Sequence, residues 1–310
     1  MSEKINIVFL GTPEFACPFL EKLATDSRFE VKAVITQEDK PVGRKKLLTP
    51  SPIKELSQKL YLSLFQPIKL NKDIDLLSNL EKIAPDFFVV VAYGQILSSK
   101  VLQIPKIKAI NVHGSILPKY RGASPIEQAL LNGDSITGLS IMEMVKAMDA
   151  GPVYQKLELP ITESDNNQSL RKKLSELGAL QLPDLLIKIK SGQLSAQAQE
   201  ETKASYCQKI NKEDGHINPT QQTAQEIINR GRAYSIWPGI YLKQKEKTLK
   251  LIQIELNNSA SPTPGHFEII NNQLFLGTKK GTLEIKTLQL EGKTIQDTKN
   301  FLSGNRQLFS

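Results

Sequence analysis

Five short apolar runs, each closed by a turn residue, set the rhythm of the first 190 residues: INIVFLG (5–11), FEVKAVIT (29–36), LSLFQP (62–67), DFFVVVAYG (86–94) and IKAINVHG (107–114). Stretches with helical spacing lie between them, among them PEFACPFLEKLATDS and SPIKELSQKL. Strand-length apolar runs alternating with amphipathic helices are the pattern of βαβ units. They predict an α/β fold, with a Rossmann-like, mostly parallel sheet carrying helices on both faces. Ligands of such sheets sit at the carboxyl ends of the strands, so chemistry is expected there.

A long helical pattern runs from Gln168 to about Lys190, and residues 191–208 (SGQLSAQAQEETKASYCQ) then turn small, polar and aperiodic. That change marks a linker. The pattern therefore divides the chain into a catalytic domain at 1–190, a linker at 191–208 and a C-terminal domain at 209–310. Beyond the linker come one helical stretch (TAQEIINRGRAYS, 223–235) and strand-like segments at GIYLK, KTLKLIQIEL, GHFEII, NQLFLGT and GTLEIKTLQL. Short strands at close spacing with Gly or Asn turns predict a small OB-like β-barrel, a common carrier of nucleic-acid binding.

Composition narrows this picture. At 310 residues and 40% apolar content the chain can bury a substantial core in two domains. The longest apolar run, FFVVVAYG, is far too short to span a bilayer, and the chain passes from MSEKI straight into a strand, so a cytoplasmic protein is expected. Cys17 and Cys207 share no CxxC spacing, which argues against both a disulfide framework and a zinc site. The net charge is +8, and residues 209–310 hold 14 basic and 9 acidic side chains, a balance of +5 in a third of the chain. This concentration is consistent with a polyanionic partner.

The first turn, FLGTPEFA, has the single Gly11 where a dinucleotide site needs GxGxxG, and there is no Walker sequence. Dehydrogenase and nucleotidase readings therefore fall. At the end of AINVHG, alternation sends Asn111 and His113 to the same face, where they converge at the mouth of the strand. An amide beside an imidazole suits an oxygen that gains negative charge during acyl transfer, and the imidazole can also move a proton. One histidine alone would more often cap its strand. The loop GSILP follows, with Pro118 biasing Leu117 to an extended conformation and leaving backbone groups available to a planar ligand. Downstream, in EMVKAMDAGPV, Asp149 occupies a turn 36 residues after His113, where a carboxylate can orient the imidazole or a water.

NVHGSILPKYRGASPIEQALLNGD, with MDAGPV downstream, resembles the formyltransferases that use 10-formyltetrahydrofolate. VFLGTPEFA, ITQEDKPVGRKKLLTPSPIK and AYSIWPG resemble the branch whose acceptor is methionyl-tRNA, nearly end to end. The resemblance implies a Rossmann-like catalytic domain, a C-terminal OB-like tRNA-binding domain, and formyl transfer to the α-amino group of methionine on initiator tRNA. It places Asn111, His113 and Asp149 at catalytic positions, and Ser115, Ile116, Leu117 and Pro118 at folate contacts. Arg44, with Lys45 and Lys46, falls on a basic loop that engages the acceptor end of the tRNA. Three stretches depart from the pattern: Lys45 replaces a frequent Gly, Ala147 and Met148 replace a frequent Gly-Leu, and an aromatic often found near Pro219 is missing.

The expected mechanism is direct attack of the neutral amine on the formyl carbon, with Asn111 and His113 holding the oxyanion and Asp149 orienting His113. The same core serves small-amine formyltransferases, from which the basic C-terminal domain and the Arg44 loop separate this chain. A non-catalytic RNA-binding protein would leave the trio without a purpose. No metal is expected, because His113, His216 and His266 are the only histidines and no two have ligand spacing. A monomer with folate and tRNA as partners is expected.

Overall fold

The structure, a computed structural model, describes residues 3–43 and 46–309. The chain divides into two compact units. Unit 1 contains residues 1–122, 137–159 and 171–207, and unit 2 contains 123–136, 160–170 and 208–310.

The elements run in chain order as β1 (Ile5–Gly11), α1 (Cys17–Thr25), β2 (Phe29–Ile35), β3 (Lys40–Val42), β4 (Leu47–Thr49), α2 (Pro52–Lys59), β5 (Leu64–Phe65), α3 (Ile74–Ile83) and β6 (Phe87–Val91). Next come α4 (Ser99–Leu102), β7 (Lys108–His113), β8 (Arg121–Gly122), α5 (Pro125–Leu131), β9 (Ile136–Glu143), β10 (Val153–Pro160), α6 (Asn167–Lys190) and β11 (Tyr206–Cys207).

All five expected strands of the first half form, and with β9 and β10 they build a seven-stranded sheet of order β10-β9-β7-β6-β1-β2-β5. The pairs β5–β2, β2–β1, β1–β6 and β6–β7 are parallel, and β9 returns antiparallel to β7. The sequence of β6, FFVVV, is buried at every position, as a central parallel strand covered on both faces must be. Local chemistry starts the helices. The Ser51 hydroxyl accepts from the Lys54 amide ahead of Pro52, and the Asp73 carboxylate accepts from the Leu76 amide. Leu76, Leu77 and Leu80 of α3 then pack on Val8, Leu10, Phe88 and Val90 in one core cluster. Burying each of these side chains is worth about 1.5–3 kcal/mol relative to leaving it exposed.

Unit 2 holds α7 (Ala224–Ala233), β12 (Ile240–Gln244), β13 (Lys247–Asn257), β14 (Phe267–Ile270), β15 (Gln273–Gly277), β16 (Thr282–Leu290), β17 (Gln296–Asp297) and α8 (Thr298–Asn305). The five strand-like segments become an antiparallel sheet of order β12-β13-β16-β15-β14, with β17 added on β16. A capping box between Thr223 and Glu226 starts α7. Two stretches from earlier in the chain complete this unit. The Asn167 amide donates to the Glu127 carboxylate and the Ala233 carbonyl, both at 2.8 Å. Arg232 donates to the carbonyls of Asp165 and Thr162, both at 2.6 Å.

Candidate active site

The mouth of β7 is set by its two neighbours. Asn111 lies opposite Val90 of β6 and Met142 of β9, and His113 lies opposite Ser140 of β9. Asn111 is half-buried, and no side-chain hydrogen bond engages its carboxamide among the described residues. His113 is buried, with 6% of its side chain exposed. Its Nε2 lies 3.0 Å from the Tyr120 carbonyl, which can only accept, so Nε2 carries the hydrogen. The other ring nitrogen, Nδ1, is 3.7 Å from Asp149 Oδ2, too far for a direct hydrogen bond. In the neutral ring this leaves the Nδ1 lone pair on the side of the carboxylate, and a proton taken up at Nδ1 would sit in the field of that carboxylate.

Asp149 holds this position against its own backbone preference. Its φ is +49°, a left-handed conformation that costs an L-residue roughly 1–2 kcal/mol. The Gly122 amide donates to Asp149 Oδ2 at 2.8 Å. Gly122 itself has φ +125°, and a Cβ there would lie 2.1 Å from the Cys207 carbonyl oxygen, so only glycine brings this amide to the carboxylate. Gly122 and Cys207 are partners in the parallel pairing of β8 with β11.

The loop after β7 is more internally satisfied than its sequence indicates. The Ser140 hydroxyl donates to the Ser115 carbonyl at 2.7 Å and accepts from the Leu117 amide at 2.9 Å. The Lys119 amide donates to the Ile116 carbonyl at 3.2 Å, and the Ser115 hydroxyl donates to the Lys119 carbonyl at 2.5 Å. Leu117 is fully buried, whereas Ile116 and Pro118 are half-buried at the surface of the loop. Several backbone groups expected to be open to a ligand are thus used within the protein.

Two family models match the chain, one for formyl transferase over residues 4–186 and one for the formyl transferase C-terminal domain over 209–306. The chain belongs to the formyl transferase family. A methionyl-tRNA formyltransferase from Caldicellulosiruptor saccharolyticus is 42% identical over 97% of both chains. One from Mesoplasma florum is 38% identical over 98% of this chain and 96% of its own. HypX from Aquifex aeolicus, solved in complex with tetrahydrofolic acid, shares the fold at a TM-score of 0.63 and 16% identity. That match covers 97% of this chain, which spans about half of the longer HypX chain, 47%.

Of the residues that the formyl transferase resemblance singles out, Asn111, His113 and Asp149 lie in unit 1, with His113 and Asp149 directly facing each other. Ser115, Ile116, Leu117 and Pro118 form the turn beside them. Lys46 lies in the turn between β3 and β4, with a positive φ of 48°. Arg44 and Lys45 lie outside the described residues. Among the described residues no group of three or more His, Cys, Asp or Glu side chains is placed to hold a metal, and no helix is long and apolar enough to cross a membrane.

Ser140 and Gly122 were not singled out by the sequence, and neither was Arg121, the largest of the fully buried side chains. The YRG triplet was the available signal, because an arginine beside a glycine next to a candidate site has to find acceptors wherever it is buried.

Proposed function

We infer that this protein transfers the formyl group of 10-formyltetrahydrofolate to the α-amino group of methionine on initiator methionyl-tRNA. The observation that carries this reading is the end-to-end match to methionyl-tRNA formyltransferases, 42% identical over 97% of both chains in the first of them. Folate as donor is supported by the shared fold with HypX bound to tetrahydrofolic acid. The product starts translation, which puts the enzyme in the cytoplasm, and it works as a monomer.

In the proposed mechanism the amine lone pair attacks the formyl carbon, and the carbonyl π pair moves onto oxygen. Asn111, whose carboxamide has no hydrogen-bond partner among the described residues, donates to that oxyanion. Because His113 Nε2 is engaged by the Tyr120 carbonyl, this ring acts at Nδ1, as a base rather than as the second oxyanion donor expected from the sequence. It accepts the proton released by the attacking amine, and Asp149 stabilises the imidazolium so formed. The carbon–N10 bond then breaks with its electron pair on N10, which receives a proton from the imidazolium directly or through water. The formyl group ends on the amine, tetrahydrofolate leaves, and the imidazole returns to its starting state.

Ser115, Ile116, Leu117 and Pro118 flank the donor in this reading. Arg44, Lys45 and Lys46 meet the acceptor end of the tRNA. The C-terminal residues 209–310, with their +5 balance, bind the tRNA body. The decisive experiment supplies purified protein with 10-formyltetrahydrofolate and total aminoacyl-tRNA. Formyl label is expected on methionyl-tRNA alone, with affinity for the tRNA falling steeply as salt rises. Label on a small amine instead, or a flat salt slope, would overturn the assignment.

A further inference from the structure

The segment 191–208 reads as a polar linker, yet it supplies the contacts that fix the Asp149 turn. The Gln199 side-chain amide donates to two carbonyls, those of Asp149 and Gly151, at 2.7 Å each. One NH2 group thereby clamps the backbone on both sides of Ala150. Its own oxygen, Gln199 Oε1, accepts from Arg121 Nε at 3.1 Å and from Arg121 Nη2 at 2.9 Å. A guanidinium only donates, so it dictates which end of the Gln199 amide faces it. The NH2 must then point to the carbonyls.

Arg121 is itself held. Its Nη2 and Nη1 donate to the Glu201 carboxylate at 2.7 and 2.9 Å, and Nη1 also reaches the Tyr206 hydroxyl at 3.4 Å. All the donor hydrogens of this guanidinium, 1% exposed as a residue, thus have acceptors, and every acceptor lies on residues 199–206. The hydrogen bonds with Glu201 hold the Arg121 guanidinium above its ordinary pKa and the Glu201 carboxyl below its own. The Arg121 amide donates to the Ser205 carbonyl at 2.8 Å, which fixes the strap along β8.

We propose that Gln199 is a positioning residue for the reaction: oriented by Arg121 and Glu201, it locks residues 149–151 so that the Asp149 carboxylate faces His113. This rests on the role given to Asp149 above and adds a residue that does not touch the substrates. The clamp acts on backbone carbonyls and the Gly122 amide acts on the side chain, so together they over-determine a residue that would otherwise leave the left-handed region.

Gln199→Glu is the test, because it keeps the shape and the contact with Arg121 but turns the clamp into a carboxylate facing two carbonyls. Its thermal midpoint should stay close to that of the parent. Its kcat should fall about tenfold or more, with KM for the folate changed less than twofold. In an Asp149→Asn background the same substitution should cost almost nothing further, as expected for residues acting through one group. Hydrogen exchange of the amides at 147–151 should quicken in Gln199→Glu whatever the acceptor proves to be. This readout separates failure of the clamp from failure of the assigned reaction. Unchanged exchange at 147–151, or equal losses of kcat in the two backgrounds, would overturn the proposal.

Discussion

Replacing Asp149 with Asn removes one charge and keeps nearly every atom in place. The carbonyl oxygen of the new amide can still accept from the Gly122 amide, so the turn and the β8–β11 pairing survive. What is lost is the carboxylate 3.7 Å from His113 Nδ1. At that separation a unit charge and an imidazolium attract by ~1 kcal/mol in bulk water and ~4 kcal/mol at the effective dielectric of ~20 that suits protein sites. His113 has 6% and Asp149 18% of its side chain exposed, which puts the pair nearer the second limit. In the proposed mechanism the imidazolium forms only after the amine has attacked, so there the attraction belongs to the transition state and not to substrate binding.

At 1.36 kcal/mol per tenfold, kcat should fall roughly fivefold to a thousandfold, with KM for both substrates little changed. Steady-state turnover of methionyl-tRNA against each substrate concentration reads this directly, with circular dichroism melting as the check on folding. A variant that melts like the parent and turns over within threefold of it would remove Asp149 from the proton path.

Asn111→Ala should lower kcat by about a hundredfold to a thousandfold, the usual loss for one oxyanion donor, while folate binding measured by fluorescence or calorimetry stays near that of the parent. Gly122→Ala should weaken stability and turnover together, because its Cβ would sit 2.1 Å from the Cys207 carbonyl and must push β8 away from β11. A thermal midpoint equal to the parent's would contradict this. Cys17 is half-buried, and desolvation, reinforced by Glu14, Glu21 and Glu55, pushes its thiol up to about 11. Its alkylation by iodoacetamide in the folded protein should therefore be slow at pH 8 and rise steadily as the pH approaches that value; a plateau by pH 9 would show otherwise.

The strand framework was legible because a parallel sheet buried on both faces leaves a plain mark. FFVVV can be little else, and INIVFLG, which forms β1 over its full length, carries the same signal. Asn111 and His113 were legible from the two-residue period of their strand. Asp149 showed in the sequence as a turn carboxylate able to orient the imidazole, but its approach to His113 did not, since that depends on β9 folding back antiparallel onto β7. The short hairpin of β3 and β4 escaped because KPV and LLT are too brief to show a period. The loop after β7 misled for a different reason. Its proline and small residues do mark an irregular turn, but the hydroxyl that satisfies its backbone comes from Ser140, 25 residues beyond Ser115.

The strap at 191–208 shows where pattern reading stops. Periodicity reports apolar faces, and this stretch has almost none to report, yet it is ordered along unit 1 by polar contacts. The cause is the buried cation on β8. Burying a guanidinium without acceptors is far costlier than ordering a few polar residues, so a chain that places Arg121 there must bring acceptors to it. Gln199, Glu201 and Tyr206 are those acceptors, and the amide end of Gln199 left over from that task is the group that reaches the Asp149 turn. The question that exposes such a segment asks where the donors of each arginine near a candidate site must end, and it leads from YRG to residues some 80 positions later.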